Sequence, residues 1–251
     1  MIARLPSLPA ALGLARSIRV YHLDWARRRR MDALYRRFLA PGDLAFDLGA
    51  HVGDRISSFR RLGARVIAIE PQPGPAWICR LLHGRDRDVT LVQAAVGATA
   101  GSLTLRVNTR NPTVTTASDD FRRAADGAAG WEGQRWDDEL VVPMLTLDDL
   151  IRDHGPPRFV KIDVEGFEAQ VLMGLSQPPP TLSFEFTTIQ RDVALACLDR
   201  LAALGPYRFD LALGESHQLH FGEWVEGVRL ADHLASLPHA ANSGDVYARL
   251  V

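Results

Sequence analysis

The stretch Asp43-Leu-Ala-Phe-Asp47-Leu-Gly49-Ala-His-Val-Gly53-Asp54 constrains this chain more than any other. Leu44 to Leu48 is an apolar run long enough for a buried strand and too short for a helix. It breaks at Gly49, and after Gly53 the residues Ile56, Phe59 and Leu62 recur at helical spacing. Strand, glycine turn and helix together bring backbone N–H groups and a helix N-terminus close to a bound nucleotide. A second apolar run, Arg65 to Ile69, closes on Glu70, which is placed to accept hydrogen bonds from both hydroxyls of a ribose.

The glycine spacing selects among nucleotides. It reads Gly-x-x-x-Gly, whereas a dinucleotide site needs Gly-x-Gly-x-x-Gly for backbone to approach a pyrophosphate. His51 would crowd a diphosphate. A ligand with a ribose and no pyrophosphate fits better, and S-adenosylmethionine is the common one.

Strand and helix patterns alternate along most of the chain. Val89–Gln93, Phe159–Asp163, Leu182–Phe186, Tyr207–Leu213 and Asp245–Val251 read as further strands, with Gln218–Phe221 as a possible short one. This rhythm predicts an α/β fold, a seven-stranded, mostly parallel sheet with an antiparallel last strand and helices on both faces. Ser102–Val107 and Leu140–Met144 alternate like a partnered pair. Between them lies a polar, glycine-rich insertion, about residues 108–139, read as a flexible cover loop carrying Trp131 and Trp136. Residues 1–21 show no firm pattern, and Met31, Leu34, Tyr35, Phe38 and Leu39 form one stripe on a helix over His22–Leu39. The chain therefore divides into an N-terminal helical extension, 1–40, and a catalytic-type domain, 41–251. The run Arg27–Arg30 reads as a solvated helix face.

Composition narrows the setting. A net charge of −1 gives no field for nucleic acid or an anionic surface. No apolar run reaches the roughly 20 residues that cross a bilayer, and Pro6 and Pro9 interrupt the N-terminus, so no signal peptide is expected. Cys79 and Cys197 are isolated and in apolar helical patterns, in keeping with buried free thiols and a cytoplasmic protein. Oligomeric state is not legible.

Asp47, Glu70, Gln93, Asp163 and Glu185 each follow an apolar run, and a carboxylate is costly to bury unpaired. At the carboxyl ends of strands they are expected to face one crevice, where α/β sheets bind ligands. The pattern Glu215-Ser-His217-Gln-Leu-His220-x-x-Glu223 lacks the spacing of a zinc site, so no metal is expected there. Neither a Gly-x-Ser-x-Gly elbow nor a Walker-type loop is present.

Asp47 to Asp54, Glu70-Pro71-Gln72-Pro73, Ala94-Ala95-Val96-Gly97, Thr146 to Leu150, Lys161-Ile-Asp163-Val-Glu165-Gly166 and Gly244 to Arg249 occur in the order and spacing of a known family. Across residues 41–251 the chain resembles the FkbM family of S-adenosylmethionine-dependent methyltransferases. The resemblance implies that Asp47, Gly49, Ala50, His51, Gly53 and Asp54 hold the methionine part of the cofactor. Glu70, flanked by Pro71 and Gln72, takes the ribose. Gln93 and Ala94, Ala95 and Val96 lie against the adenine, although Gln93 stands where Asn or Asp is frequent. Asp163 and Glu165 sit near the transferred methyl, leaving S-adenosylhomocysteine as product. Family members mostly methylate hydroxyl oxygens of sugars, glycosides and secondary metabolites, so a small-molecule or glycosyl acceptor is implied.

The chemistry agrees. Methyl transfer from a sulfonium needs donor and acceptor at near-attack distance, and an alcohol also needs a base. Asp163 is the first candidate and Glu165 the second, with Asp163 equally suited to holding the methionine amine. Lys161 orients either carboxylate. Glu185, Thr187, His217, Trp131 and Trp136 are candidate acceptor contacts. The alternatives are a nicotinamide-dependent oxidoreductase and a non-catalytic nucleoside-binding module.

Overall fold

The computed structural model describes residues 8–251, with side chains from Leu12 onward. Residues 1–7 of the expected N-terminal extension, Pro6 among them, lie outside the described residues. The sheet order is β3-β2-β1-β7-β8-β10-β9, built from β1 (Leu44–Leu48), β2 (Arg65–Ile69), β3 (Val89–Val92), β7 (Phe159–Ile162), β8 (Thr181–Thr187), β9 (Tyr207–Leu213) and β10 (Ser243–Leu250). All are parallel except β10, which runs antiparallel to both neighbours. A small second sheet joins β4 (Ala95–Val96), β6 (Asp138–Leu145) and β5 (Gly101–Val107), with Leu105 opposite Leu140.

The chain leaves β1 toward β2 and β3, then returns to lay β7 on the other side of β1. Strand order thus reverses between β1 and β7, which opens a crevice beyond their carboxyl ends. The register sets Asp47 beside Lys161 and Leu48 beside Ile162. Gly49 then turns away with φ of 81°, and a Cβ there would lie 1.8 Å from the Asp163 carbonyl oxygen. Only glycine lets the two loops approach so closely.

Two apolar layers hold the sheet. On one face α6 (Leu147–His154), α7 (Glu168–Met173), α8 (Arg191–Leu204) and α9 (Gly227–Ser236) bury Leu150, Leu172, Leu201 and Leu234. The other face packs against α2 (Trp25–Tyr35), α3 (Asp54–Arg61) and α4 (Pro73–His83) through Met31, Tyr35, Ile56, Phe59 and Cys79. Both cysteines are free and buried. No described helix is long and apolar enough to cross a membrane.

Three local expectations are corrected. The single helix expected over 22–39 is interrupted between α1 (Leu8–His22), which falls in the segment read as a helical extension, and α2. Asp24 is extended and its carboxylate caps α2 by accepting from the Arg27 N–H at 2.9 Å. Phe38 and Leu39 stay buried although α2 has already ended. The inserted segment is no structureless loop: it holds a 3₁₀ turn (Pro112–Val114) and α5 (Asp119–Ala125). Phe121 meets Trp131 and Trp136 edge-on, with centroids 5.1 and 6.3 Å apart, so the tryptophans form a small core. Gln218–Phe221 forms no strand.

Candidate active site

A cavity of about 1040 Å³, counting space open at its mouth, lies beyond β1, β2, β7 and β8. Among the expected cofactor residues, Asp47, Gly49, Ala50, His51, Asp54, Glu70, Pro71, Gln72, Ala94, Ala95, Val96 and Asp163 line it. Lys161, Glu165 and Glu185 line it too. Gly53 stands just behind, capping α3 with φ of 80°.

The glycine loop works differently from expectation. Three of its N–H groups are spent on backbone carbonyls: Gly49 and Ala50 donate to the Ile69 carbonyl at 2.9 and 3.0 Å, and Gly53 to Ala50 at 2.8 Å. The loop therefore serves the cavity through carboxylates. Glu70 accepts from the His51 N–H at Oε2 and from the Gln72 N–H at Oε1, both at 2.8 Å. Each oxygen keeps a lone pair for a further donor. Burial pushes the Glu70 carboxyl up to about 8, against the pull of those two N–H groups. Asp47 is raised to about 7 by burial and then by Asp54, and its Oδ2 has no partner. Burial lowers His51 to about 4, so its ring is neutral.

Lys161 sits at the floor, 1 % exposed, donating to Asp163 Oδ2 at 3.0 Å and to Asp245 Oδ1 at 2.8 Å. Burial alone would lower its ammonium pKa, but Asp163 and Asp245 hold it well above the ordinary value. Glu165 takes a left-handed backbone, φ of 55°. Its loop is fixed by Glu168, which accepts from the Val164 N–H at 3.0 Å, and by Thr116, which donates to the Glu165 carbonyl at 2.6 Å. Burial, then Asp163 and Glu168, push the Glu165 carboxyl well up; burial, then Glu165 and Asp163, do the same to Glu185.

The inserted segment closes one side. Gln72 accepts from the Thr115 hydroxyl at 3.0 Å and donates to the Pro112 carbonyl at 3.0 Å, which sets Thr113 and Thr115 in the cavity wall. Tyr21 from α1 completes the wall.

Several expected residues lie elsewhere. Gln93 does not face the crevice; it is exposed at the end of β3 and accepts from Arg80 at 2.8 Å. Trp131 and Trp136 line a separate groove, and Thr187 a separate small pocket. His217 is buried behind the cavity, its Nε2 3.2 Å from Glu215. Conversely, Tyr21, Arg55 and Glu215 line the cavity without having been singled out for it. Arg27 does not lie on a solvated face: it is 4 % exposed and donates to Asp54 at 2.8 Å and Glu215 at 2.7 Å. Arg55 donates to the same Asp54 oxygen at 2.7 Å. The Asp54 pKa is lowered, burial being outweighed by Arg55 and Arg27. Position in sequence gave no sign of this network, because Arg27 and Glu215 are 188 residues apart.

Buried carboxylates with spare lone pairs suit a ligand bearing two ribose hydroxyls, an ammonium and a sulfonium, which is the donor set of S-adenosylmethionine. The fold and crevice are those of a Rossmann-like, S-adenosylmethionine-dependent methyltransferase. Residues 47–226 match the model of the Methyltransferase FkbM domain, and the chain belongs to that family. Family membership sets aside the nicotinamide-dependent alternative. No curated protein matches the chain. Among solved structures it is similar to a precorrin-6Y C5,15-methyltransferase from Geobacter metallireducens, with 15% identity, 88% of this chain and 87% of that one covered, and a TM-score of 0.47. It is also similar to a TehB-like S-adenosylmethionine-dependent methyltransferase from Corynebacterium glutamicum, with 9% identity, 94% of each chain covered and a TM-score of 0.45.

Proposed function

We propose that this protein methylates a hydroxyl oxygen on a sugar, glycoside or other small secondary metabolite. The observation that carries the reading is the convergence of Asp163, Glu165 and Glu185, whose carboxylate oxygens lie within 4.8 Å of one another at the cavity floor. An alcohol must shed a proton as its oxygen is alkylated, and a nearby base contributes about 10²–10⁴-fold.

When bound, S-adenosylmethionine supplies an electrophilic methyl on a sulfonium. Glu70 holds the ribose hydroxyls through its free lone pairs, and Asp47 receives the ammonium. Asp163, fixed by Lys161, faces the positive charge. Burial, Asp163 and Glu168 hold the Glu165 carboxyl well above its ordinary range, and a cationic ligand beside it favours the carboxylate that acts as the base. The insertion over about 108–139 covers a core domain formed by 41–251, and the first 40 residues add the wall that carries Tyr21. A net charge of −1 favours a small acceptor over nucleic acid, and buried free thiols fit a cytoplasmic setting.

The test is transfer of labelled methyl to a panel of sugars, glycosides and phenolic or polyketide alcohols, with the product's methyl located by NMR. Methylation on oxygen supports the reading. Methylation on nitrogen, carbon or sulfur overturns its acceptor class, and tight cofactor binding with no transfer across the panel favours a non-catalytic module.

A further inference from the structure

The carboxylates of Asp163, Glu165 and Glu185 raise a question of charge that the residues around them do not answer. Lys161 is the cation beside them, and it is shared with Asp245. Glu165 is 8 % exposed and lines the cavity, and among the described residues no side chain or backbone group makes a hydrogen bond or ion pair to its carboxylate. Glu185 Oε2 is buried with no partner either. Buried polar groups are nearly always satisfied, and an orphaned carboxylate costs more than an orphaned neutral group. Two unpartnered carboxyl groups beside Asp163, which Lys161 already contacts, call for a positively charged ligand between them.

We propose that Asp163, Glu165 and Glu185 form a binding site for a hard divalent cation such as Mg²⁺ or Mn²⁺. Oxygens on opposite sides of Mg²⁺, with bonds of about 2.0–2.1 Å, are about 4.0–4.2 Å apart, and around Ca²⁺, with bonds of about 2.3–2.6 Å, about 4.6–5.2 Å; the three ligand oxygens here lie within 4.8 Å of one another, so closing on the smaller ion takes movements of under about an ångström. An all-oxygen, all-carboxylate set selects Mg²⁺, Mn²⁺ or Ca²⁺ over zinc or copper. The ligands come from the loop after β7 and from β8, so the remaining coordination positions open into the cavity. Acceptor oxygens can enter there, which makes an acceptor with two neighbouring oxygens, a vicinal diol or a hydroxy-ketone, the best fit. This part rests on the methyltransferase reading. A hydroxyl bound to the cation is acidified; its O–H bond breaks, and the proton passes to the Glu165 oxygen left outside the ion's shell. Cation and base then act on the same hydroxyl.

The site is tested by titrating the purified full chain with Mn²⁺, following free Mn²⁺ by electron paramagnetic resonance and heat by calorimetry. S-adenosylhomocysteine is titrated separately. One Mn²⁺ per chain, weakened at least about 10-fold by Glu185→Gln and by Glu165→Gln, is the expected result. Thermal melting of each variant, with and without Mn²⁺, separates lost ligation from lost folding: a folded variant no longer stabilised by Mn²⁺ supports the site. No binding at about 1 mM, or binding that both variants leave unchanged, overturns it. S-adenosylhomocysteine binding without Mn²⁺ binding sinks the cation site alone. Mn²⁺ binding without S-adenosylhomocysteine binding sinks the methyltransferase reading and leaves the cation site standing.

Discussion

Lys161 and Asp245, 84 residues apart in sequence, are joined by a 2.8 Å hydrogen bond beneath the cavity floor. The antiparallel last strand thereby anchors the side chain that orients Asp163. Replacing Asp245 by Asn keeps the shape and removes the charge opposite a buried ammonium. Asp245→Asn is expected to lose about 1.5–3 kcal/mol of stability, the worth of a hydrogen bond to a charged group. Urea denaturation measures this, and an unchanged midpoint and slope would show that the pair carries no such role.

Gly49→Ala is expected to be far more damaging than its size suggests. The added Cβ would stand 1.8 Å from the Asp163 carbonyl, with φ of 81°. The loops after β1 and β7 would have to part, at a cost of more than about 3 kcal/mol. Expression and circular dichroism check it; a variant with wild-type melting temperature would contradict the close approach.

Stability is expected to fall as pH rises from about 6.5 to about 8.5. Asp47, Glu168 and Glu70 are raised to about 7, 7 and 8 in the folded protein, from ordinary values of 3.8, 4.5 and 4.5. A carboxyl with a raised folded pKa stabilises fully below its unfolded pKa, and that contribution is lost as pH climbs through the folded value. His51, lowered from 6.5 to about 4, acts oppositely, but only below about pH 6.5. The window above 6.5 therefore isolates the carboxylates, with a summed loss on the order of 3 kcal/mol. Denaturant unfolding at pH 6.5, 7.5 and 8.5 tests the sign, and Glu70→Gln should flatten the slope.

Arg27→Ala is expected to destabilise by about 2–3 kcal/mol, below the usual range for a broken buried pair, because the Glu215 side chain is 45% exposed. Arg29→Ala, at an exposed position of the same helix, is the control and should fall within about 0.5 kcal/mol of wild type. Equal effects of the two would contradict the distinction between them.

Much of the sheet was legible because the central strands are short apolar runs ended by a glycine or a polar residue, as at Leu44–Leu48 before Gly49 and Phe159–Ile162 before Asp163. Asp47, Glu70 and Asp163 gather because the reversal between β1 and β7 brings strand ends together. Gln93 followed the same pattern and was misplaced. Its strand is at the sheet's edge, where a side chain can turn to solvent and reach Arg80. Arg27 was misread for the opposite reason. It looks like its neighbours in the run Arg27–Arg30, and its burial depends on Asp54 and Glu215 meeting it in space. The helix Leu8–His22 escaped notice because its inward stripe, Leu14, Ser17, Ile18 and Tyr21, includes a serine and a tyrosine and alternates with arginines.

The most direct measurement of the central claim is a calorimetric titration of the protein with S-adenosylhomocysteine, S-adenosylmethionine and NADH, repeated with Glu70→Gln. The crevice between β1 and β7 predicts one site per chain for the two adenosyl ligands, none for NADH, and affinity reduced about 10-fold or more when Glu70 loses one of its two acceptor oxygens. Binding of NADH alone, or adenosyl binding indifferent to Glu70→Gln, would contradict the account.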